Sequence, residues 1–255
     1  MWKHYVFMSS SYSKRTRIAY EVKSKDIIDS EEIKSINKEI KTKCGQDVRM
    51  GFQFLAVDSE KWEDVVRADG FFKDILVLQT LDEFIELINK DRDLTANDVA
   101  NYIICKLRCT HLRMQKVLYL CYADYLCRTG EKLFEDKIFA YSYGPVVSSV
   151  YDTYKGKYGD LSDTSQKMPF GEKVQLAARS KILFTKEGTN KAFSIDKTIE
   201  RYKHYSARAL VAITHRKGSP WSQVSVGKQI PDEFIKAYHH IEEQKRNRYY
   251  KNLTK

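Results

Sequence analysis

Cysteine and histidine are the residue types of this chain that could bind a metal ion. Cys105 and Cys109 have helical spacing, and His111 and Cys121 follow them closely. A zinc site is one interpretation, but structural zinc sites usually present close cysteine pairs on turns. These cysteines instead fall within apolar stripes of predicted helices, where cysteine packs as a small hydrophobic residue. Packing is therefore the favoured role, and we expect neither a metal nor a cofactor.

His215 is the strongest candidate for acid–base catalysis among the six histidines. It lies at a predicted helix end, directly after Thr214 and shortly before Trp221. A general base would also need an activated nucleophile or a paired acid, and no motif supplies one. Asp136 and Asp232 are better explained as solvated or capping residues. We expect His215 to bond the backbone of its own loop, and we expect the protein not to be an enzyme.

Tyrosine is abundant, with 17 residues in the chain. Aromatic residues with a polar tip are favoured where one face is buried and the other meets a partner. For Tyr143 and Tyr151 an interface is favoured over plain core, whereas core is favoured for Tyr119 and Tyr122 in the middle of a predicted helix. The candidate partner-binding residues are Tyr141, Tyr143, Tyr151, Tyr154 and Trp221.

Positive charge is concentrated in the second part of the chain. The net charge is +10, yet residues 1–93 contain 16 Lys and Arg against 18 Asp and Glu. A basic domain attracts nucleic acid, anionic membrane or an acidic protein, and the sign of the charge does not choose among them. A well-solvated surface is the alternative explanation.

The composition is that of a folded protein of two domains in a reducing compartment. The 255 residues are 42% hydrophobic, enough for two ordinary cores. Five cysteines are an odd number without the spacing of a disulfide scaffold. No segment approaches the apolar length that spans a bilayer, and the N-terminus lacks a secretory apolar run. We expect a cytoplasmic protein with no membrane partner.

Residues 1–93 are predicted to form a mixed α/β domain. Residues 5–8, 17–22, 48–57 and 75–78 are rich in β-branched or aromatic residues and are candidate strands. Capping boxes at residues 29–32 and 80–83 begin two helices. The polar run at residues 89–93 then interrupts the apolar pattern, and we place the domain boundary there.

Residues 94–243 are predicted to form a mainly helical domain, followed by a basic flexible tail at residues 244–255. A capping box at residues 95–98 begins one helix, and a second helix carries its apolar stripe as far as Gly130. Gly144 permits a sharp turn, and Pro145 suits the first turn of a helix that continues to Tyr154.

The rest of this domain is predicted to contain one small β-hairpin. Residues 155–172 are expected to form an exposed loop, and residues 181–185 and 192–195 the two strands of the hairpin. Two further helices are expected at residues 198–214 and 231–243. The predicted fold class is therefore α+β.

The second part of the chain contains the motifs Leu112-Arg-Met-Gln-Lys-Val-Leu-Tyr119, Tyr143-Gly-Pro145, Thr214-His215 and Pro220-Trp221. In their order and spacing they resemble the Panacea domain family. The resemblance runs from about residue 94 to residue 241. Where the family usually has a tryptophan before the Tyr-Gly-Pro segment, this chain has Tyr141. The residues that carry the resemblance and are expected to be structural are Gln115, Lys116, Tyr119, Gly144, Pro145, Thr214, His215 and Pro220.

The resemblance implies a mostly helical domain of antitoxins, which binds and neutralises unrelated toxins in two-gene toxin–antitoxin systems. The family was earlier described as phage-associated, and the domain also occurs in a proteolytic adaptor. Residues 1–93 resemble no family we recognise. A specificity module, a DNA-binding element and a dimerisation unit are all interpretations of that part.

The function predicted from the sequence is that of a bacterial or prophage antitoxin, which neutralises its cognate toxin by direct protein–protein binding. The alternative is a DNA-binding transcriptional regulator, in which the helix pair and the hairpin form a winged helix and the basic surface contacts phosphates. A homodimer is a further expectation about assembly.

Overall fold

The computed structural model describes residues 1–156, 159–161 and 172–253, with side chains in the last of these ranges described from 174 to 243. The chain forms two compact units. One comprises Met1–Asp93 with Phe184–Lys186, and the other comprises Leu94–Leu183 and Glu187–Lys255. No helix in the described ranges is both long and apolar enough to cross a membrane.

The first unit contains a four-stranded sheet, as the sequence predicts. Its strands are β1 (Trp2–Ser11), β2 (Thr16–Ser24), β3 (Gly51–Val57) and β4 (Leu76–Leu78). Their order is β3-β1-β2-β4, with β1 antiparallel to both of its neighbours and β2 parallel to β4. Strands β3 and β4 therefore form the two edges of the sheet.

Alternation of side chains along β1 gives the sheet two buried faces. Phe7 points to a core shared with helices α1 (Ser30–Cys44) and α3 (Leu81–Arg92). Val6 and Met8 point the other way, to a core shared with helix α2 (Trp62–Ala68). The side chain of Thr80 accepts a hydrogen bond from Glu83 N, and the Glu83 carboxylate accepts one from Thr80 N, so the predicted capping box of α3 is confirmed.

The second unit is helical around helix α5 (His111–Thr129), which is buried from Met114 to Ala123. Helix α4 (Ala96–Leu107) precedes it and begins with the predicted Thr95–Asp98 capping box. The other helices are α6 (Ser148–Tyr154), α7 (Glu172–Phe184), α8 (Gly188–Tyr202), α9 (Ala207–Thr214) and α10 (Asp232–Leu253). Helices α4, α8, α9 and α10 all pack against α5, which is therefore the central helix among these five.

The hairpin of the second unit lies at a different place from the one predicted. Strands β5 (Ile138–Tyr141) and β6 (Gly144–Val147) pair with each other. Of the residues predicted as hairpin strands, 181–184 and 192–195 lie in helices α7 and α8, and Thr185 follows the end of α7. The buried residues Ala192, Ile195 and Ile199 have the spacing of one helical face. Short apolar runs fit either a strand or a buried helix, and here packing along α5 decided for the helix.

Three other boundaries differ from the prediction. Gly144 and Pro145 begin strand β6, not a helix, and the predicted helix at residues 198–214 is broken between α8 and α9. Helix α10 continues to Leu253, beyond the expected end at residue 243. Most of the loop predicted at residues 155–172 lies outside the described residues.

Candidate partner-binding site

The β5–β6 hairpin lies directly on helix α5, and two consecutive α5 side chains hold it there. The Gln115 amide oxygen accepts a hydrogen bond from Val147 N at 3.0 Å, and its amide nitrogen donates to Val147 O at 3.3 Å. The Lys116 ammonium donates to Pro145 O at 2.6 Å. Backbone groups of strand β6 are thus satisfied by side chains of a helix, and this fixes the hairpin on the core.

Lys116 is fully buried, and burial lowers the pKa of its amine to about 7, against a smaller opposing effect of the Glu242 carboxylate. A buried amine without an adjacent acid could act as a base or a nucleophile. Here its nitrogen faces a carbonyl oxygen and the turn at Gly144. We therefore assign Lys116 to holding the hairpin.

Gly144 leaves the hairpin turn with a φ of +100°, a conformation that disfavours residues with a side chain. A Cβ atom here would meet Thr214 Oγ1 and His215 Cε1 at 2.9 Å, and Lys116 Nζ at 3.0 Å. The structure thus brings Lys116, Gly144, Thr214 and His215 into one cluster, although they are far apart in the sequence. Only a glycine allows this approach.

His215 bonds backbone carbonyl groups, although not those of its own loop, where the sequence predicts its partners. Its Nδ1 lies 2.9 Å from Val211 O, and its Nε2 lies 3.1 Å from Ser142 O in the hairpin turn. Both partners are carbonyl acceptors, so a neutral imidazole donates to one of them and an imidazolium to both. His215 therefore links the end of helix α9 to the hairpin.

Trp221 is a further side chain that packs around the hairpin turn. Its ring centroid lies 4.0 Å from that of His215, and its Nε1 donates to Tyr141 O at 2.9 Å. Pro220 is buried at the start of a short 3₁₀ helix, Pro220–Gln223, which carries the tryptophan. The outer side of β5 also bonds a nearby segment, since Ile230 N donates to Ile138 O at 2.8 Å. The hairpin is thus held along both strands.

The predicted partner-binding tyrosines divide into exposed and packed residues. Tyr143 lies in the turn and has 70% of its surface exposed. Tyr141 and Tyr151 make an edge-to-face contact with centroids 5.2 Å apart, and Tyr151 also contacts the His111 ring. Tyr154 packs against the core, and its hydroxyl donates to Asn101 Oδ1 at 2.8 Å. Tyr143 is therefore the most available of these rings for a partner.

Tyr119 is fully buried, and its hydroxyl is hydrogen-bonded to a cluster of charged residues between helices α5 and α10. Its hydroxyl donates to the Glu242 carboxylate, and Glu242 Oε2 lies 2.6 Å from His239 Nδ1. The other ring nitrogen of His239 lies 2.8 Å from Asp124 Oδ1. Arg201 Nη1 bonds the second oxygen of Asp124 at 2.9 Å.

The buried charges of this cluster set each other's pKa values. Burial lowers the pKa of His239, but hydrogen bonds and charge from Asp124 and Glu242 outweigh burial and raise it to about 9. Burial raises the pKa of Glu242. Burial would also raise the pKa of Asp124, but His239 and Arg201 outweigh it and the pKa is lowered. The imidazolium form of His239 therefore binds α10 to α5 at neutral pH.

Sequence reasoning did not find this cluster, although α10 carries a signal for it. Ile235, His239 and Glu242 follow helical spacing, so the apolar face begun by Ile235 continues with two ionisable residues at buried positions. Such residues require charged partners in the core. Which partners they would meet could not be read from the sequence.

Within the described residues, Asp124, His239 and Glu243 are close enough to share a metal ion. Arg201 donates to both Asp124 and Glu243, at 2.9 Å and 3.0 Å, so a cation already bridges these carboxylates. The zinc interpretation would require Cys105, Cys109, His111 and Cys121 to form such a group. Within the described part of the chain they do not.

Comparison with known proteins supports the resemblance seen in the sequence. Residues 114–222 match the family model described as "Antitoxin SocA-like, Panacea domain". The matched range is shorter than the range predicted from the motifs, but it contains α5 from Met114 onward, the hairpin, α9 and Trp221. The searches of curated proteins and of solved structures found no match.

Proposed function

We propose that this protein is an antitoxin that neutralises its toxin by direct contact and without catalysis. The observation that carries the proposal is the match of residues 114–222 to the antitoxin-like domain. The same residues include those that hold the hairpin, namely Gln115, Lys116, Thr214 and His215. The residues that match the family and the residues that hold the hairpin therefore lie in the same part of the molecule.

We place the toxin contact at the turn of the β5–β6 hairpin. Tyr143 is exposed there, while the strands on either side are fixed to α5 and to His215. A large aromatic ring on a rigid support loses little conformational freedom on binding, which favours it as an interface anchor. Tyr141, two residues before Tyr143, forms an edge-to-face pair with Tyr151, so further aromatic rings lie near this turn.

Replacement of Tyr143 tests the proposed contact. Tyr143→Ala should weaken binding of the toxin encoded by the neighbouring gene by at least about tenfold, because truncation of an interface anchor costs more than about 1.4 kcal/mol. The measurements are calorimetric affinity with purified proteins and growth of cells that express both.

Phe193→Ala is the matched control, since Phe193 is an exposed aromatic residue of the same unit, at 63% exposure, on helix α8. It should bind toxin like the wild type. Equal affinity of the two variants for toxin would remove the hairpin turn from the interface, and absence of any toxin binding by wild-type protein would reject the antitoxin function.

A DNA-binding regulator is the competing proposal, and the positive charge of the second part of the chain is what favours it. The wing of such a regulator was expected from strands at residues 181–185 and 192–195. These residues, apart from Thr185, lie instead in helices α7 and α8. The remaining argument is electrostatic, and salt dependence of binding tests it directly.

A further inference from the structure

Strand β3 is an edge strand without the features that usually prevent pairing with another chain. Its single strand partner in the described part of the molecule is β1. The strand Gly51–Val57 contains no proline and no charged residue. Natural edge strands are commonly shortened, charged or interrupted by proline, because their free N–H and C=O groups otherwise recruit a further strand.

Two exposed side chains of β3 are aromatic, and one of them packs against rings of β1. Phe52 and Phe54 are 42% and 57% exposed and point to the same face of the sheet. The Phe52 ring contacts Phe7 and Tyr5 of β1, with centroids 5.5 Å and 6.3 Å apart. The two rings therefore form an apolar surface beside a backbone edge that pairs with no strand of the described residues.

The opposite edge of the sheet is better protected. Strand β4 is only three residues long, Leu76–Leu78, and its exposed apolar residue, Leu76, is 38% exposed. Three residues offer too few backbone groups for a stable additional strand. Pairing with a further strand is thus favoured at β3.

We propose that β3 pairs with β3 of a second copy of this chain, antiparallel and about a twofold axis at Gln53, to form a continuous eight-stranded sheet. In this register Gln53 lies opposite its own copy, and Phe52 of each chain lies opposite Phe54 of the other. Opposed residues of antiparallel strands share a face, so the four rings meet on one side.

Self-complementarity is the reason for choosing a second copy as the partner. An uncharged strand gives no electrostatic preference for a foreign partner, and the one-residue spacing between the two phenylalanines lets each ring find its counterpart under twofold symmetry. The near-neutral charge of residues 1–93 also limits repulsion between two copies, unlike the basic remainder of the chain.

Sedimentation equilibrium of the full-length protein tests the dimer. The wild type should dimerise reversibly below about 100 µM, and Phe54→Lys should raise the dissociation constant at least about tenfold, because it places a charge in the pair. Phe193→Lys, on helix α8, is the control and should leave the dimer unchanged. Circular dichroism checks that each variant is folded.

A cysteine at the twofold axis tests the register independently of that substitution. Directly opposed residues have Cα atoms about 4.5 to 5.5 Å apart, within the range that a disulfide spans. Gln53→Cys in a Cys127→Ser background, which removes the exposed native thiol, should form a covalent dimer on mild oxidation. Leu76→Cys, at the β4 edge, should not.

A wild type that stays monomeric at this concentration would overturn the proposal. So would a dimer that Phe54→Lys leaves intact, or a dimer that Gln53→Cys fails to cross-link. Binding of β3 to a different protein by an otherwise monomeric chain would also overturn it, since the partner would then not be a second copy.

Discussion

Gly144 shows how a single residue determines the shape of the candidate site. A positive φ at Gly144, the middle residue of the Tyr-Gly-Pro segment, turns the chain into β6, and the missing side chain leaves room for Lys116, Thr214 and His215. A side chain at this position would lower the stability of the fold in two ways. A side chain would strain the backbone, and it would also push apart the residues that hold the hairpin.

Two alanine substitutions separate the effect of backbone strain from the effect of crowding. Gly144→Ala should lower the free energy of unfolding by about 2 kcal/mol or more, because it adds a clash to the strain. Gly227→Ala should cost only about 1 kcal/mol, since Gly227 has a similar φ of +88° but no atom within 4 Å of the added Cβ. Urea unfolding measures both, and equal losses would show that crowding at Gly144 is unimportant.

At the scale of secondary-structure elements, the Asp124–His239–Glu242 cluster joins helices α5 and α10. Both ring nitrogens of His239 face carboxylates in the core. A buried cation between two carboxylates is stabilised by both, and removal of the cation leaves the carboxylates without compensation. The link between these helices should therefore depend on the protonation of one histidine.

The pH dependence of stability should reveal this link. The pKa of His239 is raised from 6.5 to about 9, so its contribution is fully present below about pH 6.5 and is lost as the pH rises through 9. His239→Gln should therefore be less stable than the wild type at pH 6, by about 3 kcal/mol. The difference between the two proteins should shrink toward pH 10, as measured by urea unfolding across this range.

Lys116 should give a pH dependence of stability opposite to that of His239. Burial lowers the pKa of Lys116 from 10.5 to about 7, so the folded state holds its proton less firmly than the unfolded state does. The stability of the wild type relative to Lys116→Met should thus increase between pH 7 and pH 10. Parallel pH profiles for Lys116→Met and His239→Gln would contradict the electrostatic account of both residues.

At the scale of the whole molecule, the uneven charge distribution makes weak nucleic-acid binding an expected property, apart from any toxin contact. The net charge is +10, and residues 1–93 contribute none of the excess. Electrostatic binding to DNA releases counterions, so its affinity falls steeply with salt concentration.

Fluorescence anisotropy with a labelled duplex should show only weak binding, and this binding should disappear near physiological ionic strength. The measurement is a titration repeated at several salt concentrations, with an unrelated duplex as the control. Tight binding of one sequence that persists at about 150 mM salt would instead favour the regulator proposal, since specific base contacts survive screening better than phosphate contacts alone.

Local sequence determined much of the secondary structure. The capping boxes at Thr80 and Thr95 form as predicted, because each is complete within one helical turn. The strands of the first unit also follow their composition, whereas the Tyr-Gly-Pro and Thr-His motifs were singled out by the resemblance to the Panacea family. Hydrogen bonds and apolar periodicity over a few residues were sufficient for the capping boxes and the strands.

Tertiary structure decided the features that depend on distant residues. The two segments predicted as hairpin strands lie in helices because their apolar residues, such as Ile182 and Ile195, pack into the main core of the second unit, and their short apolar runs could not show this. The partners of Gly144 became evident only when α5 and α9 were placed beside the turn. His239 and Asp124 are 115 residues apart in the sequence, and no local pattern specifies such a pair, since the free energy of a buried charge depends on the groups that the fold brings around it.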